Sequence, residues 1–174
     1  NVVEDDLISG SITLDNHGNR YTAKQRNTIK IDFNNPSKIG DKLSITKTFN
    51  AGEKFDFTQF DYEVPVGQSG FKAFASASRL EFEIGKELRT NPVSMGNADT
   101  TEVGVKYPIQ RTNNQSVFLK TSIEKKEIYN ETTGVLTNNK TLENTKIGLD
   151  FEGKNIFQDS SLTGVSVSGI FGDL

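Results

Sequence analysis

The one histidine of this 174-residue chain, His17, stands in a polar run, Asp15-Asn16-His17-Gly18-Asn19. A Ser-His-Asp triad or a multi-histidine metal site needs an imidazole held rigidly by further groups. A lone histidine on a Gly- and Asn-rich loop reads as a solvated residue. Asp15, Asn16, Gly18 and Asn19 offer oxygen donors of the kind calcium takes, but the loop pattern that closes on a bidentate Glu is missing. Two acidic pairs, Glu81 with Glu83 and Asp61 with Glu63, have the spacing that puts both carboxylates on one face of a strand. Such pairs serve as acid and base in glycoside hydrolysis; beside Arg79, Lys30 and Lys106 they read instead as a wetted wall. The absence of cysteine excludes disulfides and thiolate metal sites. No phosphate-binding glycine loop or nucleophile elbow is present. The Asn-X-Ser/Thr triplets at Asn114, Asn130 and Asn139 carry no weight in so Asn-rich a chain. The expectation is a protein that is not an enzyme, with no catalytic, metal or cofactor-binding residues.

Composition narrows the partners. A net charge of -3 supplies no basic field, so the counterion-release route to nucleic acid is closed and no nucleic-acid partner is expected. No apolar run reaches the roughly 18 residues of a membrane helix, but a membrane strand needs only about 10, every second one apolar. The chain opens on Asn1-Val2-Val3-Glu4, with no Met and no signal-peptide pattern. A fragment or processed piece is expected, forming a single domain.

Whatever these side chains do, strands must position them, because the apolar residues recur at every second position and hardly anywhere at helical spacing. The alternation predicts about nine strands, at Ile8 to Asp15, Thr28 to Phe33, Lys42 to Phe49, Phe55 to Val64, Phe71 to Ile84, Thr101 to Ile109, Ser116 to Tyr129, Leu142 to Glu152 and Leu162 to Phe171. In the fifth, Phe74, Leu80, Phe82 and Ile84 oppose Ala73, Ala75, Ala77, Arg79, Glu81 and Glu83. In the sixth, Val103, Val105, Tyr107 and Ile109 oppose Glu102, Gly104 and Lys106.

Compact turns rich in Gly, Pro and Asn fall at every second junction, at Asn34 to Asp41, Pro65 to Gly70, Thr112 to Gln115 and Gly153 to Ser160. Between them lie longer polar segments at His17 to Arg26, Lys86 to Asp99 and Asn130 to Thr141, with Asn50 to Lys54 the short exception. Consecutive hairpins then place short turns at one end of a sheet and long loops at the other, as outer-membrane barrels do.

Alternation alone fits both a soluble sandwich and a membrane barrel, which differ in whether the polar face meets outside water or a hydrated lumen. The length of Phe71 to Ile84 and Ser116 to Tyr129, and aromatics near strand ends (Phe49, Phe55, Tyr62, Phe71, Tyr107, Tyr129, Phe171), suit a barrel with interfacial girdles. Lys47 and Lys125 run against it, since each is in phase with apolar neighbours. A lysine on the lipid face costs roughly 2 to 4 kcal/mol at mid-bilayer and about 0 to 1 near the interface.

The ordered set Leu14-Asp15-Asn16-His17-Gly18-Asn19-Arg20-Tyr21-Thr22, Asn34-Asn35-Pro36 with Gly40-Asp41, Tyr62-Glu63-Val64-Pro65-Val66-Gly67, Gly70-Phe71-Lys72 running into Ala75-Ser76-Ala77-Ser78-Arg79-Leu80, and Ala98-Asp99 leading to Tyr107-Pro108 spans nearly the whole chain. It resembles the first half of the barrel domain in two-partner secretion transporters, the ShlB/FhaC/HecB-type haemolysin secretion and activation proteins. The resemblance implies an all-β, antiparallel up-and-down meander that forms part of a transmembrane β-barrel in the bacterial outer membrane. It implies a pore that exports a haemolysin- or adhesin-type polypeptide, with outer-membrane lipid around it and no cofactor. The family's POTRA domains, plug helix, inward loop and second barrel half have no counterpart in residues 1 to 174, and none of their functional residues is carried over. Arg79, Glu81, Glu83, Glu102 and Lys106 are the residues expected to face the lumen. An Omp85-type assembly-factor barrel and a soluble β-sandwich or lipocalin-like binding module are the alternatives.

Overall fold

A computed structural model describes residues 6–19, 21–22, 24–50, 55–85, 94–132, 135–154 and 162–173. Nine strands form one sheet in chain order: β1 (Ile8–Asp15), β2 (Arg26–Asn34), β3 (Lys42–Phe49), β4 (Phe55–Val66), β5 (Phe71–Glu83), β6 (Met95–Arg111), β7 (Gln115–Thr132), β8 (Val135–Lys154) and β9 (Leu162–Asp173). Each pairs antiparallel with the next, the pattern that hairpin connections impose. The described strands thus make a single layer, and the second sheet that a sandwich requires is not among them.

The short-turn end is built by local chemistry. In the β2–β3 turn, Asn35 (φ 59°), Lys38 (φ 62°) and Gly40 (φ 85°) adopt left-handed backbone. Asn35 N–H donates to the Asp41 carbonyl at 2.7 Å and Gly40 N–H to Asn35 Oδ1 at 2.6 Å, the kind of side-chain bond that lets Asn adopt this conformation. Gly70 (φ 78°) combines a positive φ with a close approach, because a Cβ there would sit 3.1 Å from Pro108 Cγ. Pro108 has no N–H to give the ladder, and the β6–β7 register slips between Pro108 and Gln110.

Strand lengths differ. β1, β2 and β3 have 8, 9 and 8 residues, whereas β6, β7 and β8 have 17, 18 and 20. At about 3.3 Å per residue and the roughly 10 residues that a tilted bilayer crossing would use, β8 is about twice as long as such a crossing needs. Two expectations are corrected here. Asn130 to Thr141 is not a long loop: β7 runs to Thr132 and β8 starts at Val135. Met95 to Asp99, assigned to the loop before Thr101, belongs to β6. Both stretches lack a run of alternating apolar residues, yet the backbone ladder continues through them.

No apolar core exists among the described residues. The buried side chains are Asp41, Ser44, Thr48 and Ser122, all polar. Large apolar residues stand exposed even in the middle of the sheet, Ile123 at 62%. A water-soluble fold would bury such residues against a second layer.

Candidate functional site

The pairing register sorts every side chain onto one of two faces. The first carries Ile29, Ile31, Ile45, Phe60, Ala75, Val103, Ile123, Ile147 and Val167, joined strand to strand in rows such as Leu43–Tyr62–Ala75–Val103–Ile123. The second carries Lys30, Asp32, Ser44, Asp61, Glu63, Ser76, Glu102, Lys106, Lys120, Ser122, Glu124, Lys146 and Asp150 in the alternate rows. From Thr101 to Thr132 most residues of the second face are half-buried and most of the first are exposed, as on the inside and outside of a curved wall. A cavity of about 390 Å³ against the second face brings together Lys30 and Lys42 of β2–β3 with Lys106, Lys120 and Asp150 of β6–β8. The sheet therefore curls around its polar face.

That inner face is a lattice of ion pairs. Lys146 Nζ lies 2.5 Å from Glu124 and 3.3 Å from Glu102, and Ser122 Oγ donates to Glu102 at 2.7 Å. Lys120 reaches Glu102 at 3.5 Å, Lys106 reaches Glu152 at 3.5 Å and Lys72 reaches Glu63 at 2.6 Å. Lys106 and Lys120 oppose each other directly, an arrangement that repels. Each spreads instead over an aromatic ring, Lys106 at 4.1 Å from the centre of Phe118 and Lys120 at 4.4 Å from that of Phe74. Phe74 in turn lies over Gly104, where an added Cβ would come within 2.6 Å of its ring and 2.5 Å of the Thr121 carbonyl.

The five expected residues do not share a face. Glu102 and Lys106 belong to the inner lattice, whereas Arg79, paired with Thr58 and Asp99, Glu81, paired with Asp56 and Asn97, and Glu83, paired with Met95, lie on the outer face. The placement of all five on one wall is therefore corrected. The cause is in β5, whose small Ala73, Ala75 and Ala77 form the outer apolar surface while the bulkier Phe74, Leu80 and Phe82 point inward. Residue size suggests the opposite parity, and only pairing to Phe60 and Tyr62 on one side and Val103 and Val105 on the other fixes it. For the same reason Phe55 leaves the girdle set, while Phe71 and Tyr107 meet on the outer face with ring centres 6.3 Å apart. The carboxylate pairs also separate, Asp61 and Glu63 inside, Glu81 and Glu83 outside.

Outer charges gather at the long-loop end. One row runs Lys47–Thr58–Arg79–Asp99–Glu127 across β3 to β7. Lys47 pairs with Asp56, Arg79 with Glu81 at 2.7 Å and Lys125 with Glu127 at 2.8 Å. Lys47 and Lys125 thus mark the upper edge of the apolar belt rather than interrupting it. Lys120, Ser122, Glu124 and Lys146 were not singled out from the sequence, although each is out of phase with an apolar neighbour, the signal that finds them. His17 is exposed, its N–H bonded to Asp15 Oδ1 at 2.9 Å, and among the described residues no group of acidic or histidine side chains has the form of a metal site.

The family model described as haemolysin secretion/activation protein ShlB/FhaC/HecB matches residues 1–167. The heme/hemopexin transporter protein HuxB of Haemophilus influenzae (strain 86-028NP) is 24% identical over 168 residues, covering 96% of this chain and 29% of HuxB. Among solved structures, CdiB from Escherichia coli aligns with a TM-score of 0.75 at 18% identity, over 99% of this chain and 32% of that one. CdiB from Acinetobacter baumannii aligns with a TM-score of 0.71 at 15% identity, over 97% and 32%. The chain thus spans under a third of the length of these proteins.

Proposed function

This chain belongs to the haemolysin secretion/activation family ShlB/FhaC/HecB, a family of outer-membrane transporters rather than enzymes, and from that premise we propose that residues 1 to 174 are part of one barrel domain that exports a partner polypeptide. The belt of Ile31, Ile45, Val103, Ile123 and Ile147 meets lipid tails. The inner lattice of Glu102, Lys106, Lys120 and Lys146 lines the aqueous passage. Arg79, Glu81 and Glu83 stand at the outer membrane boundary, outside the passage. The partner is a secreted polypeptide of the haemolysin or adhesin class, passed without cofactor; nucleic acid has no place in the process.

A single observation carries this: one curled sheet holds a matched set of opposite charges on its inside and bare apolar side chains on its outside. Opposite charges neutralise one another along the wall, so an extended chain meets polar surface with few unpaired charges to hold it. The test uses single cysteines in the full-length protein in liposomes. A membrane-impermeant thiol reagent is expected to label positions 102 and 120 and to spare 103 and 123, while lipid-borne nitroxides quench a fluorophore only at 103 and 123. The reverse pattern overturns the assignment.

A further inference from the structure

The two faces exchange character near the long-loop end. At the rows where the outer face turns polar, at Asp56, Arg79, Asp99 and Glu127, the inner face turns apolar, with Phe57–Leu80–Ala98–Ile128 in one row and Phe55 opposite Phe82 in the next. These side chains are half-buried, whereas Phe60, Val103 and Ile123 of the belt below them on the other side are exposed. They form a contiguous apolar patch inside the wall, above the charge lattice. At its β7–β8 border stand Lys126, opposite Leu142, and Lys140, opposite Ile128. The inner lysines 30, 42, 72, 106, 120 and 146 each have a carboxylate within ion-pair distance. Lys126 and Lys140 have none that close among the described residues, Glu124 acting on Lys126 only from beyond that distance.

Building on the export pathway above, we propose that this patch is a docking surface for the exported polypeptide at the outer mouth, selecting extended segments whose apolar side chains are followed by carboxylates. Charge complementarity commits the occupant: two lysines lacking ion-pair partners beside an apolar surface favour acidic groups at one end of an apolar stretch. Strands lie about 4.8 Å apart, so Phe57 on β4 and Lys126 on β7 are separated by roughly 14 Å. An extended chain crosses that in about four to five residues. Apolar contact supplies the holding force, and the lysines set which segments stay.

The test measures binding of a fluorescent peptide to the detergent-solubilised full-length transporter. The peptide carries a Leu pair and, four residues on, a Glu pair. Copies with Ser for Leu, or Lys for Glu, are expected to bind about tenfold more weakly, the scale of one or two lost apolar contacts or a reversed charge. Lys126→Gln with Lys140→Gln should abolish the preference for Glu over Lys yet keep the preference for Leu over Ser. A photoreactive residue at position 80 should capture the peptide and one at position 79, one residue along but on the outer face, should not; heat-modified gel mobility verifies that both variants fold. Equal binding of all peptides overturns the proposal, as does capture of the transporter's own chain at position 80 whether or not peptide is present. Failure of the thiol pattern at positions 102 and 103 would remove the passage itself, whereas an intact thiol pattern with no peptide selectivity would remove only this docking surface.

Discussion

Asp41 shows how one side chain organises the short-turn end. It is 2% exposed, and that burial works against its charge. Tyr62 Oη donating to Oδ2 at 2.9 Å, and Ser37 N–H donating to Oδ1 at 3.1 Å, hold its carboxyl net below the ordinary carboxylate value. A folded-state pKa below the unfolded one means that the stabilisation is complete above the unfolded value and is lost as pH falls through the folded one. Hydrogen exchange at the Ser37 and Asn35 amides of the full-length protein, corrected for intrinsic rates, should therefore stay slow at neutral pH and speed up only below the usual carboxylate range. Asp41→Asn should flatten that dependence. The spacing of Asn34 to Asp41 marked a turn, but nothing in the sequence indicated that Asp41 would be buried, because Tyr62 reaches it from the neighbouring strand β4, beside Leu43 but 21 residues on in the chain.

At the scale of elements, the inner wall depends on glycines whose missing side chains are replaced by a neighbour's ring. Phe74 covers Gly104 and Phe82 covers Gly96 across the β5–β6 pair, a known way of shielding strand glycines. Gly104→Val should destabilise the barrel by about 1 to 3 kcal/mol through overpacking, read from urea unfolding of the full-length protein in liposomes. Removing the ring as well, with Phe74→Ala, should restore little, because the Thr121 carbonyl remains 2.5 Å from the added Cβ. The bounds of β1 and β3 were legible to the residue because their alternation runs from end to end. Those of β6, β7 and β8 were not, because toward the long-loop end the outer face becomes charged and polar and the apolar period disappears.

For the whole molecule, the decisive quantity is the height of the apolar belt on the outer face. Along β7 it runs from Val117 to Ile123, roughly 20 Å at about 3.3 Å per residue, before Lys125 and Glu127 begin the charged edge. A lysine within the belt should cost far more than one above it. Ile123→Lys is expected to lower stability by about 2 to 4 kcal/mol, and Thr141→Lys, in the row of Glu127, by about 0 to 1. Equal costs, measured by folding into liposomes, would move the bilayer boundary away from the charged row.

Period-two patterning and turn chemistry were enough to establish an all-β meander and its strand count, because each is encoded within a few neighbouring residues; the expected long loop at Asn130 to Thr141 was not, because there the strands continue without an apolar period. The resemblance carried by Asn34-Asn35-Pro36, Tyr62 to Gly67 and Gly70 to Leu80 led to the family. Alternation states only that neighbours point in opposite directions; it does not say which set points inward. That choice, and with it the separation of Arg79, Glu81 and Glu83 from Glu102 and Lys106, came from the interstrand register, where Ala75 meets Tyr62 and Val103. Register is a relation between strands far apart in sequence, so the wall's inside and outside were decided by tertiary structure alone.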